Sequence, residues 1–195
     1  MLWQRSLVML DLETRSLWSH LLGQAMNGQL KGAELEMLPS SMTDWKTWRT
    51  QHPATTVLNL SRTSREYRRQ FYHDPSQFVL GMADGGMTRA WPFDQLVRQP
   101  VVNDKIDRTP VLVVFMKDSA TAMTYDRRLD DRTLTFTDDG GKLLDDQTKT
   151  QWDPASGKAV AGLLAGKQLV QQIGVVSYRR AWRDFHPESS YWKSD

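Results

Sequence analysis

Residues 10–53 read LDLETRSLWSHLLGQAMNGQLKGAELEMLPSSMTDWKTWRTQHP, and residues 144–187 read LDDQTKTQWDPASGKAVAGLLAGKQLVQQIGVVSYRRAWRDFHP. The two stretches align without a gap at a spacing of 134 positions. Fourteen of the 44 aligned positions are identical, among them Asp11, Thr14, Trp18, Gly23, Ala25, Gly28, Gly32, Trp48, His52 and Pro53 with their partners. Ordinary residue frequencies would give roughly two or three matches by chance. The chain is therefore read as two copies of one structural unit, and every later inference starts from that repeat.

Each copy opens on an Asp-x-x-Thr stretch followed by Trp: Asp11, Thr14, Trp18 and Asp145, Thr148, Trp152. Asp and Thr of this kind hydrogen-bond local backbone, so the stretch predicts a turn entering a short strand. Glycines follow at 23, 28 and 32, and again at 157, 162 and 166, a spacing that breaks helices and suits tight turns between strands. Both copies end in helical periodicity. Thr43 and Ser177 are good N-cap residues, and Tyr178, Ala181, Trp182 and Phe185 form an i, i+3, i+4, i+7 stripe. Trp45 and Trp48 give a shorter version in the first copy. Both helices should stop at His-Pro, because the residue before proline is pushed out of the α region.

The block between the copies is different. Residues 61–77, SRTSREYRRQFYHDPSQ, are polar and basic without apolar periodicity and read as a linker or surface loop. FVLGM, a Gly85-Gly86 turn and TRAWP predict a hairpin, followed by a short helix over 93–98. Residues 111–115 are a continuous apolar, β-branched run, which predicts a buried strand. Residues 120–126 and 133–137 alternate with period two around a turn at 129–131. Short strands at roughly 8–12 residue spacing make a mainly β (α+β) fold, with the copies packed about a pseudo-twofold axis. The expected organisation is residues 1–60 as the carboxy-terminal half of a first unit, 61–77 as linker and 78–195 as a complete second unit. Either the first unit lacks its front half, the favoured reading, or a shared central block serves both cassettes; a half-unit would leave sheet edges exposed to a partner protein or to self-association.

Composition excludes several classes of function. With 195 residues, 39% of them apolar, the chain can build one ordinary domain or two small ones. A formal charge of +2 argues against a dedicated nucleic-acid binder. The absence of cysteine removes disulfides, thiolate catalysis and zinc–thiolate or iron–sulfur sites. No apolar run approaches the roughly 20 residues that cross a bilayer, so the chain reads as soluble. Five of its eight tryptophans lie in the repeated stretches.

His52 and His186, identical between the copies, are candidate metal ligands or acid–base groups, or else caps on the ends of their helices. Asp11 and Asp145 are candidate carboxylates with turn formation as the plainer role. Asp104, Asp126 and Arg127 read as ion-pair or turn residues. Trp18 and Trp152 are candidate stacking platforms for a sugar or base, or core anchors. Arg62, Arg65, Arg68 and Arg69, interleaved with Tyr67, Phe71 and Tyr72, have the composition of a single-strand binder, which would show a steep salt dependence. No metal, nucleotide or hydrolase motif is present, and no cofactor is expected.

The strings SLVMLDLETRSLWSHLLGQAMNGQLKGAELEMLP, VVNDKIDRTPVLVV, YDRRLDDRTLTF and AWRDFHPES together resemble the prokaryotic family known as domain of unknown function 3179, over nearly the whole chain and in that family's order. The resemblance implies a longer protein, often exported or lipid-anchored, with no established activity. It also implies, in the family's first unit, a Cys-Pro-Leu-Cys stretch on the strand before a Tyr/Phe-Asp-Arg motif, a region that the first unit here is read as lacking. The equivalent strand of the second unit reads VLVVFMKDSATAMTYDR, with residues 116–119 about where the cysteines would fall. The leading expectation is a non-enzymatic binding or scaffold module. The alternatives are an enzyme, or the remnant of one, using His186 and Asp145 in a cleft, and single-strand binding through residues 62–72.

Overall fold

Glycine and Asx turns cut this chain into short strands, and the computed structural model, which describes residues 2–3, 6–57 and 74–194, arranges them in several small, mainly antiparallel sheets. The first holds β1 (Leu2–Trp3), β2 (Ser6–Leu10), β3 (Leu17–Ser19) and β4 (Gln24–Asn27) in sequential order. Helix α1 (Trp45–Gln51) follows it, and none of its residues is buried. The predicted hairpin is β5 (Phe78–Asp84) and β6 (Met87–Pro92), joined at Gly85-Gly86 and continued by helix α2 (Phe93–Leu96). That helix is two residues shorter than the sequence predicts, because the chain turns ahead of Pro100.

A three-stranded sheet of β7 (Val101–Ile106), β8 (Thr109–Met116) and β9 (Thr121–Asp126) forms the middle layer. Residues 111–115 of β8 are buried on both faces, which explains an apolar run without alternation. Val111, Val113 and Phe115 pack with Leu80, Trp91, Phe93 and Leu96. Leu112 and Val114 look the other way, with Met123 and Tyr125, onto Phe136, Leu143, Trp152 and Leu169. Those last residues come from the second four-stranded sheet and the loop after it: β12 (Phe136–Asp139), β13 (Lys142–Asp145), β14 (Gln151–Trp152) and β15 (Ala159–Ala161). A small hairpin of β10 (Arg128–Leu129) and β11 (Arg132–Thr133) turns at Asp130 between the layers.

The carboxy-terminal segment returns to the β5–β6 hairpin and closes both of its edges. Strand β16 (Val175–Tyr178) pairs antiparallel with β5, Val175 opposite Gly81, and β17 (Ser190–Tyr191) pairs parallel with β6. Helix α3 (Arg179–Phe185) joins them, and its Trp182 packs with Val79 and Ala90 of the hairpin.

Contacts of the amino-terminal sheet recur 134 positions later. Ala25 N–H donates to Ala33 O and Ala159 N–H to Lys167 O, both at 2.9 Å. Leu35 N–H donates to Gly23 O at 2.7 Å and Leu169 N–H to Gly157 O at 2.9 Å. Ser16 Oγ accepts from Leu30 N–H at 3.0 Å, as Thr150 Oγ1 accepts from Leu164 N–H at 3.1 Å. Gly28 and Gly162 show why this turn needs glycine: φ is +97° and +110°, and a Cβ would come within 2.5 Å of Ser16 Cα and 2.8 Å of Thr150 Cα.

Both helices begin one residue later than their sequence suggests, at Asp44 and Tyr178 rather than Thr43 and Ser177. Ser177 is still a strand residue paired with Val79. In the first helix the Asp44 carboxylate takes the capping role, accepting from Thr47 N–H at 2.9 Å. The aromatic stripe is also narrower than predicted. Only Ala181 and Trp182 of α3 are buried, Tyr178 caps the helix at the surface, and Trp45 is half exposed.

Candidate functional site

Asp145 is fully buried, and its carboxylate is consumed locally. It accepts from Thr148 N–H at 2.6 Å, from the Thr148 hydroxyl at 2.9 Å and from Trp152 Nε1 at 3.0 Å. Thr148 in turn shares a hydrogen bond with Thr150 at 2.8 Å. This network fixes the entry into β14 and gives the buried indole its one polar partner. Asp11 makes the same turn nearer solvent, accepting from Glu13 N–H at 2.9 Å and from the Thr14 hydroxyl. Those bonds stabilise the charged carboxylate and draw its pKa below the usual range. Trp152 is 1% exposed, whereas Trp18 is only half-buried.

His52 and His186 both terminate their helices, at φ −128°, ψ 68° and φ −129°, ψ 69°. The backbone N–H, rather than the ring, satisfies the helix end, donating to Trp48 O and Trp182 O at 2.8 Å. Each ring lies over the indole one turn back, at 4.0 Å from Trp48 and 4.2 Å from Trp182 between centroids. Each indole N–H reaches forward past the proline: Trp48 to Thr55 Oγ1 at 3.0 Å, Trp182 to Ser189 Oγ at 2.8 Å. Half-burial of His186 disfavours its protonated form and lowers its pKa.

Asp104 accepts from Arg89 Nε at 2.6 Å and Trp91 Nε1 at 2.8 Å. Asp126 pairs with Arg128 rather than Arg127; Arg127 instead donates to the carbonyls of Leu134 and Asp104. Arg62, Arg65, Arg68, Arg69 and the rest of 62–72 lie outside the described residues. Among the described residues no three His, Asp or Glu side chains converge as a metal site would require, and no helix is long and apolar enough to cross a membrane.

Neither His186 nor Asp145 lines the larger of the two clefts described here. That cleft, of about 740 Å³, lies between the carboxy-terminal end of α1 and the turn after β14. Trp48, Gln51 and His52 form one wall, Ser40 and Ser41 continue it, and Asp153, Ser156 and Gln171 face them. Its size is that of a ligand site, and it combines an aromatic face with a few polar groups. Gln171 Nε2 donates across to Ser40 O at 3.4 Å, and the Thr121 hydroxyl donates to Thr43 Oγ1 at 2.8 Å, tethering the segment before α1 to β9. A smaller cleft of about 380 Å³ lies beside the β8–β9 turn, against Asp138 and Leu143.

The family profile described as Protein of unknown function (DUF3179) matches residues 1–79 and again residues 71–192. The chain belongs to this family. No curated protein and no solved structure matches it. Strand β8 of this DUF3179 protein runs through Met116 into a turn of Lys117, Asp118 and Ser119. Ser119 there is buried and shares a hydrogen bond with Thr121 at 2.8 Å, in line with the Thr43 tether. Ser119 and Thr121 thus buttress the tether that holds the segment before α1 to β9. The cleft itself escaped the sequence reading. Its only signal was Trp48, a repeated tryptophan on a helix too polar to bury it.

Proposed function

We propose that this DUF3179 chain is a non-catalytic binding module whose ligand lies in the cleft between α1 and the Asp153 turn. It is built, on this reading, from two copies of one cassette related by an approximate twofold. Residues 1–60 carry the first, 61–77 link them and 78–195 complete the second. The recurrence of hydrogen bonds at a spacing of 134 supports the two-copy organisation. The observation that carries the functional reading is the contrast between repeated residues. In the second copy Asp145 and Trp182 are buried and spent on folding, whereas in the first Trp48 lines an open cleft with His52.

A catalytic use of His186 with Asp145 receives no support from this geometry. The carboxylate already accepts three hydrogen bonds, and general-base chemistry needs a lone pair directed at substrate. The test is a fragment library titrated against ¹⁵N-labelled protein. Shifts should gather on the amides of Ser40, Gln51, Asp153 and Gln171, and His186→Gln should leave them unchanged. Shifts centred on Asp145 and His186 instead would replace the binding-module reading with the enzymatic one.

A further inference from the structure

We infer that the cleft is a strand-binding seat, and that its occupant is an extended polypeptide segment from another protein with a glycine placed over Trp48. The inference rests on the two-copy reading and names the ligand class of the proposed site. Positions 40, 41 and 48 line the cleft; their counterparts 134 residues later are Gly174, Val175 and Trp182. All three of those touch β5. A Cβ on Gly174 would come within 2.9 Å of Leu80 Cδ1, Val175 pairs with Gly81, and the indole of Trp182 occupies the space over Gly81. The larger cleft therefore lies where, in the second half of the chain, a strand is seated.

The wall is built to receive one. Residues 41–43, counterparts of the first three residues of β16, lead towards α1 outside any strand, although β16 pairs over four residues with β5. Val57, counterpart of Tyr191 in β17, is 66% exposed, whereas Tyr191 pairs with Ala90. An added strand would gain backbone hydrogen bonds along 41–43 and apolar contact with Trp48, the mode by which sheet edges take up peptides. Glycine is required at the crossing because at Gly81 any side chain would collide with the indole face. A second copy of this chain is a poor source. Each copy has one β5–β6 hairpin, and α3 of the same chain already covers it.

The probe is a fluorescently labelled peptide carrying FVLGMAD, the sequence of Phe78–Asp84, with lysines appended for solubility. It is titrated into the full-length protein and read by anisotropy. Saturable binding is expected, weakened at least about tenfold by valine in place of the peptide's glycine, since overpacking at a tight contact is costly. Trp48→Ala in the protein should weaken it comparably, and because α1 buries nothing that variant should remain folded. The chain lacks cysteine, so the register can be read directly. Met42→Cys should form a disulfide with a peptide bearing cysteine at the Leu80 position, and much less with one at the Val79 position.

Equal binding of the glycine and valine peptides overturns the inference, and so does absence of saturable binding. If the peptide fails while fragments still shift Ser40 and Asp153, the strand assignment falls and the binding module stands. If neither shifts them, both fall. Efficient disulfide-linked dimers of Met42→Cys without peptide would make the occupant a second copy and overturn the assignment to a foreign chain.

Discussion

Trp182 fills the space that a side chain at position 81 would need. A Cβ built on Gly81 would lie against Cζ3, Cη2 and Cε3 of the indole, and Trp182 is only 2% exposed. Trp48, which has the same helix, the same histidine against its ring and the same forward hydrogen bond, has no such burial. The two tryptophans should therefore differ in energetic weight. Trp182→Ala is expected to cost about 3–5 kcal/mol, and Trp48→Ala about 1 kcal/mol. Urea denaturation followed by circular dichroism decides it; equal losses would mean that α1 is covered as α3 is.

The same contact can be attacked from the strand. Gly81→Ala should destabilise by about 1–3 kcal/mol, because the indole is held by Val79 and Ala90 and cannot withdraw. A glycine-to-alanine change normally stabilises a strand slightly by reducing chain entropy, so even the sign is informative. An unchanged melting temperature would show that Trp182 does not lie over β5.

Asp145 and Asp11 occupy matching turns in unequal surroundings. Asp145→Ala strips a buried indole N–H and a threonine hydroxyl of their acceptor and should cost about 2–4 kcal/mol. Asp11→Ala opens a turn that water can reach, and should cost clearly less. Thermal melts of the two variants, measured side by side, test the ordering, and its reversal would contradict the burial described here.

His186 gives a pH signature. Burial favours the neutral ring, so the folded pKa lies below that of an unfolded histidine, about 6.5. Between those values the unfolded chain takes up the proton first. The stabilisation is therefore complete above the unfolded value and is lost as pH falls through the folded one. The urea midpoint of the native protein should drop more from about pH 7 to about pH 5 than that of His186→Gln. Parallel profiles for the two proteins would show that the ring titrates as in solvent.

Much of this fold was legible because local chemistry dictated it. The run at 111–115 required a strand covered on both faces, and the glycines at 28 and 162 required the turns they occupy. Strand pairing hid the rest. Ser177 is a sound N-cap by composition, but its backbone is committed to Val79, which pushes the helix start to Tyr178. Sequence offers His52 and His186 as metal ligands, acid–base groups or side-chain caps; in the structure each ring packs on tryptophan and the backbone N–H serves the helix. The cleft was not legible at all, since its walls come from residues 39–52, Met123 and residues 153–171 and meet only after folding. Nor does composition separate Trp48 from Trp182; the difference is the hairpin lying against one of them.

The pairing of Gly81 with Val175 joins residues 94 positions apart. During synthesis the β5–β6 ribbon thus emerges well ahead of β16 and α3, the segments that will cover it. For that interval its apolar edge is bare, and a bare edge is where nascent chains stick to one another. The late arrival of β16 and α3 thus decides how long that edge stays uncovered.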